Sequence, residues 1–233
     1  MNNVQPGILA PVPKVARYLS FSLKVGSRPA RAMRSLVEFA DGEALVVGMG
    51  QSLVHALGGD ISGLRVFPTQ FGSGLILPSS SSALWCWLRG DGRGELLHLS
   101  RKAAAATASA FDLDSVIDGF KYDTGRDLTG YVDGTENPKG KKASDAAIVR
   151  GQGVGLDGSN FVAVQQWVHD FERFDSMPSK EQDNSIGRRK SDDKELDDAP
   201  RSAHVKRTAQ ESFSPKPLFC AGRCRGRMVI PAV

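Results

Sequence analysis

Long apolar runs are missing from this sequence of 233 residues, in which no stretch approaches the ~18 residues of a membrane-spanning helix. Its first segment, MNNVQPGILAPVPKVARY, has no charged stretch followed by an apolar one, so no secretory leader is legible. A soluble, cytoplasmic protein without a membrane partner is expected. Cysteine is scarce: Cys86, Cys220 and Cys224 cannot all pair, which excludes a secreted disulfide framework. A charge excess is absent from most of the chain. Thirty Lys and Arg stand against 26 Asp and Glu, but Lys216, Arg223, Arg225 and Arg227 fall in residues 214–233, which hold no acid, so the body carries 26 of each sign. A neutral body offers no basic face for nucleic acid.

Nucleotide fingerprints also fail. Gly48-Met49-Gly50 lacks its third glycine, and Gly151-Gln152-Gly153-Val154-Gly155 leads into the strand-like NFVAV where a helix is required. Cys220, Cys224 and His204 make a poor zinc set, with no second pair of ligands.

What is present is an ordinary globular composition, 40% apolar and 24% charged, in a chain long enough to bury a sizeable core. Residues 17–25 (RYLSFSLKV) alternate as a half-buried strand does. Ala32, Met33, Leu36, Val37 and Ala40 recur at helical spacing, and ALVVG (44–48) reads as a buried strand. ALWCWL (83–88) predicts a third strand, Leu96 to Ala110 one helix face running to about Phe111, and residues 116–122 a fourth strand. Two helices on one face of a four-stranded sheet bury each single apolar side most simply, which predicts an α+β, ferredoxin-like unit. From residue 123 to 159 the chain is rich in Gly, Asp, Asn and Pro and reads as a long connection, after which NFVAVQQWV begins the same plan again.

Two residues stand out as carriers of chemistry. Gly130 and Gly134 bracket Asp133 in GYVDGTENP, and Asn137-Pro138 bars a helix, so Asp133 sits on a tight turn. Taken alone, that pattern equally describes a carboxylate capping its own amides. His204 follows Asp198-Ala199-Pro200, a plausible helix start, with Ala203 beside it and Thr208 at i+4, leaving room for a large flat group. By spacing alone a helix histidine touching solvent or a carboxylate is the preferred reading. His55 and His98 fall in helices and predict packed or hydrogen-bonded rings, while His169 predicts a surface imidazole at a strand end. Core packing is the expectation for the three Trp and three Tyr.

With these residues in place the sequence resembles the dye-decolourising (DyP-type) haem peroxidases. The likeness runs through QPGILAPVPKVARY, LWCWLRGDGRGELLH, FKYDTGRDLTGYVDGTENP, NFVAVQQWVHDF, IGRRKSDDKELDDAP and SAHVKRTAQESF. Its hallmark is the G-x-x-D-G element, Gly130-Tyr131-Val132-Asp133-Gly134, joined to a histidine in the context SAH. The resemblance implies two ferredoxin-like units of the dimeric α+β barrel type. The first would span 1–122, the connection with G-x-x-D-G 123–159, the second 160–213, and an atypical basic tail 214–233. It implies haem b ligated by His204, with Asp133 as acid and base opposite it. Val132, Gly134, Thr135 and Asn137 would line the haem, and Arg188 would meet a propionate or solvent. Hydrogen peroxide and small-molecule electron donors, dyes or other aromatic or porphyrin-like molecules, would be the substrates, with an acidic pH optimum. A homo-oligomer is compatible with the likeness.

The tail, SPKPLFCAGRCRGRMVIPAV, departs from the family's wording. The family continues with a distal arginine, an acidic partner for the histidine and further strands, so the second unit is expected to be incomplete, from truncation or a frame shift near Pro217. The alternative implied is a haem-binding or haem-handling protein with little turnover, which dye bleaching by peroxide would separate from a peroxidase.

Overall fold

The computed structural model describes residues 4–72, 75–135, 137–208 and the backbone of 228–229. Most of the tail therefore lies outside the described residues, including Cys220, Cys224 and the three late arginines. The chain divides into two units, one of residues 1–120 with 148–162 and one of 121–147 with 163–233.

The first unit follows the order strand, helix, strand, strand, helix, strand. Its elements are β1 (Val15–Leu23), α1 (Pro29–Val37), β2 (Leu45–Met49), a short α2 (Gln51–Ala56), a hairpin of β3 (Gln70–Gly72) and β4 (Leu75–Leu77), β5 (Leu84–Gly90), α3 (Arg93–Thr107) and β6 (Phe111–Phe120). The main sheet is antiparallel in the order β2-β5-β1-β6, which is the ferredoxin-like arrangement. Alternation along β1 sends Leu19 and Phe21 to one face, where Leu84, Cys86 and Leu88 of β5 meet them. Ala32, Met33 and Leu36 of α1, with Leu96 and Ala103 of α3, close the same core. Burial of that order of apolar area is the main stabilising term of the unit. On the opposite face Tyr18 stacks between Trp85 and Trp87, and Arg89 lies 4.5 Å over the Trp87 ring. Burial pushes the Tyr18 hydroxyl up to about 12. The Gln5 side chain both donates to and accepts from the backbone of Val47, tying the N-terminal segment onto that face.

Boundaries differ from the sequence pattern: β1 lies two residues earlier than expected, leaving Val25 exposed, and the last strand starts at Phe111 rather than 116. The helix stops at Thr107, whose hydroxyl bonds back to the Ala103 and Ala104 carbonyls, and Phe111 opens β6 instead of closing α3. Phe111 is buried in either register, so its apolarity could not separate them.

The second unit is built from shorter pieces: α4 (Lys141–Ala147), β7 (Val164–Gln165), α5 (Phe171–Ser176), α6 (Ser179–Ile186), α7 (His204–Thr208) and β8 (Met228–Val229), the last parallel to β7. Asp170 caps α5 by accepting the Arg173 N–H at 3.1 Å. Gly187, at φ +91°, ends α6 in the left-handed conformation that glycine adopts without penalty. The expected helix start at Asp198 is displaced: Ala199 precedes a proline, which disfavours helical backbone, and α7 opens only at His204. Among the described residues no helix is long and apolar enough to cross a membrane.

Candidate functional site

The expected site residues all fall in the second unit. The G-x-x-D-G turn grows from a small loop in which Asp127 is the organising group. Its N–H donates to the Tyr131 carbonyl, and its carboxylate accepts both the backbone N–H and the hydroxyl of Thr129, at 2.7 and 2.6 Å. Arg126 donates to the Gly130 carbonyl at 2.8 Å, and Val132 forms a bridge with Arg126. Gly130 and Gly134 have φ of +89° and +75°, so the turn requires glycine at both ends. Between them Asp133 is exposed, and its Oδ1 accepts the Gly134 N–H at 2.7 Å. Asn137 donates its N–H to the Gly134 carbonyl, and its side-chain nitrogen lies 2.7 Å from where a Cβ on Gly134 would stand. Val132, Asp133, Gly134, Thr135 and Asn137 thus lie on or beside one turn, with Thr135 half-buried.

His204 is exposed at the head of α7. The residue before it, Ala203, is completely buried, and a Cβ on Gly187 would stand 2.3 Å from Val205 Cγ2 and 3.1 Å from Ala203 Cβ. The imidazole therefore rides on a tightly packed backing formed by the end of α6. Thr208 donates its hydroxyl to the His204 carbonyl at 3.0 Å.

Arg188 is not a solvated side chain. It is 12% exposed, donates to the Asp193 carbonyl at 2.9 Å, and lies 4.0 Å from the Asp193 carboxylate and 3.8 Å from that of Glu195. It helps line a polar cavity of about 520 Å³ together with Arg189, Lys194 and four carboxylates, those of Asp193, Glu195, Asp197 and Asp198. A guanidinium held by two acids has less charge to offer an anion.

The sequence pattern missed the role of His169. Its Nε2 lies 3.0 Å from Asp127 Oδ2, its side chain is only 19% exposed, and its ring stacks on Phe171. Burial opposes the charge on Asp127, but the Thr129 bonds and His169 outweigh it and hold that carboxyl below its usual range. Nothing local in WVHDF announces a partner 42 residues away. His98 is exposed and His55 lies 3.4 Å from Asp60. Trp167 and Tyr122 are also exposed, against the expectation of core packing, whereas Tyr18, Trp87 and Tyr131 are buried.

The site can do two things chemically. An exposed imidazole on a packed backing presents a nitrogen donor to a metal, and an exposed carboxylate pinned by its own turn can take and return a proton. This donor set fits an iron porphyrin, and the exposed Val164, Trp167, Val168 and Phe171 of the same unit are apolar surface of the kind such a ring covers.

Fold and turn together define an α+β protein of ferredoxin-like plan carrying the G-x-x-D-G element. Comparison with known proteins makes this specific. The model of the family "Dyp-type peroxidase, C-terminal" matches residues 124–217. A dye-decolorizing peroxidase of Rhodococcus erythropolis is 31% identical over 222 residues, covering 89% of this chain and 65% of the relative. That of Mycobacterium tuberculosis is 35% identical over 130 residues, 55% of this chain and 39% of the relative. Among solved structures, DyPB of Rhodococcus jostii superposes with a TM-score of 0.77 at 26% identity, over 86% of this chain and 70% of that one. A variant of the same protein, determined in complex with haem, gives the same score and identity over 85% and 70%. The chain is thus similar, over nearly nine tenths of its length, to the dye-decolourising (DyP-type) peroxidases. It spans about 65% of the length of the Rhodococcus erythropolis relative.

Proposed function

We propose that the protein is a haem-dependent peroxidase that reduces hydrogen peroxide and oxidises dyes or other aromatic or porphyrin-like donors. In this reading His204 would hold haem b in the second unit through its imidazole. When bound, the haem supplies the electron chemistry: two-electron reduction of peroxide and one-electron oxidation of donors. Asp133 removes a proton from one oxygen of hydrogen peroxide and returns it to the other, so that water can leave. Its Gly134 hydrogen bond keeps the carboxylate aimed while it does so. Val132, Gly134, Thr135 and Asn137 would form the wall behind that carboxylate, and Arg188, which lies beside Asp193 and Glu195, would meet a propionate. The reading includes a first unit of residues 1–122, a connection of 123–159, the start of a second ferredoxin-like unit from 160 to 213, a cytoplasmic location and self-association.

The observation that carries it is the pairing, within one unit, of an exposed imidazole backed by buried Ala203 with an exposed carboxylate on a glycine-flanked turn. The test is purification with added haemin. The chain should show the Soret band of ligated haem, His204→Ala should lose it, and Asp133→Ala should keep it while reacting with peroxide about 10²- to 10⁴-fold more slowly. A chain without a Soret band, or Asp133→Ala at the unsubstituted rate, sinks the reading.

A further inference from the structure

Asp183 is a half-buried carboxylate with no part in the proton transfer just described. It lies near the C-terminal end of α6, and its Oδ1 accepts two hydrogen bonds: the Tyr131 hydroxyl at 2.5 Å and the backbone N–H of Lys190 at 3.0 Å. Its main-chain carbonyl accepts a third, from the Gly187 N–H at 2.6 Å. These partners belong to two different parts of the site. Tyr131 stands two residues before Asp133 in the glycine-flanked turn. Gly187 and Lys190 flank Arg188, and Gly187 is the residue packed against Ala203 and Val205 on either side of His204.

The contact is rigid on the Tyr131 side. That ring is 3% exposed and meets Phe174 edge-on at 6.2 Å, so packing holds the phenol where it donates to Asp183. Burial and the Asp183 carboxylate raise its hydroxyl well above the ordinary phenol range, so it stays a donor. Lys190 adds a second link, since its side chain covers Gly130 and its ammonium lies 5.5 Å from the Tyr131 ring. A hydrogen bond to a charged acceptor is stronger than a neutral one, which suits a strut between two loops.

We propose that Asp183 is a positioning residue: one carboxylate ties the turn bearing Asp133 to the loop that carries Arg188 and props His204, and so sets the two halves of the site in register. This rests on the roles given to Asp133 and His204 above, but its test does not depend on them alone. Amide hydrogen exchange of the full chain is measured for Asp183→Ala, Asp183→Asn and Tyr131→Phe. Asp183→Ala should speed exchange about tenfold or more in residues 130–135 and 187–190 together, the loss expected for a charged hydrogen bond. Tyr131→Phe should speed residues 130–135 alone. Asp183→Asn keeps an acceptor for both partners and should rescue both segments to within about threefold of the unsubstituted chain.

With haemin bound, Asp183→Ala should weaken haemin affinity about tenfold, and Tyr131→Phe should slow the peroxide reaction without weakening haemin binding. Independent behaviour of the two segments in Asp183→Ala, or an asparagine variant as damaging as alanine, overturns the proposal. If Asp183→Ala does not fold, unchanged exchange at 130–135 in Tyr131→Phe overturns it equally. A chain that takes up no haemin refutes the peroxidase reading, while the exchange comparison still decides the role of Asp183.

Discussion

Gly187→Ala tests the backing of His204 directly. Two costs arise at this position. The backbone is left-handed at φ +91°, which costs a residue with a Cβ about 1–2 kcal/mol. The new Cβ would also stand 2.3 Å from Val205 Cγ2, and overpacking of that kind costs about 1–3 kcal/mol more. Valine in a helix has one strongly preferred rotamer, so the strain passes into the first turn of α7 and moves His204. Gly140→Ala in the same unit supplies the control, because its φ is +55° but nothing lies within 4 Å of an added Cβ. It should carry only the first cost. For a chain of this size the difference corresponds to a melting point about 6 °C lower in Gly187→Ala than in Gly140→Ala. Thermal unfolding followed by far-ultraviolet circular dichroism measures it. Haemin titration followed at the Soret band should show affinity about tenfold weaker for Gly187→Ala and unchanged for Gly140→Ala. If the two variants melt within a degree of each other and bind haemin alike, Gly187 does not support the histidine and the reasoning fails.

Three further outcomes are expected. Asp127 titrates below its ordinary value in the folded chain, so its stabilisation is complete above about pH 4 and is lost as pH falls through the depressed value; Asp127→Asn should flatten the acid limb of melting temperature against pH, and an unchanged limb would contradict the assignment. Arg17 donates two bonds to Asp118, at 2.6 and 2.8 Å across β1 and β6, and Arg17→Leu should cost about 1–2 kcal/mol in urea unfolding, a neutral result showing the pair to be idle. Burial pushes the Cys86 thiol up to about 12, so iodoacetamide labelling at neutral pH with peptide mapping should leave it unmodified until the chain unfolds, and early labelling would refute its burial.

The first unit was legible because each of its elements has one apolar side. The period of two along RYLSFSL and the helical spacing of Ala32, Met33 and Leu36 each point to one packing, and the sheet order follows from where those sides can meet. Phe111 was ambiguous because it is buried whichever element claims it. The second unit gives weaker patterns: α5, α6 and α7 bury no residue of their own, so no periodicity marks them. Its order comes from polar contacts between residues far apart in sequence, His169 with Asp127 and Tyr131 with Asp183. Pairwise contacts of this kind leave no trace in a local window. Asp133 and His204 stood out only through the glycines and small residues around them, and the resemblance rather than the spacing gave them their roles.

Among the described residues β6 pairs with β1 alone and so ends the sheet, leaving the backbone donors and acceptors of alternate residues among its ten facing outward. Such a rim invites a second molecule to zip along it. Its composition works against that. Asp112, Asp114 and Asp118 set carboxylates along the strand, and a bulge at Asp114, where the register with β1 shifts, kinks the edge. The acids and the bulge of this strand therefore guard an open edge in two independent ways, and neutralising the carboxylates removes only one of them.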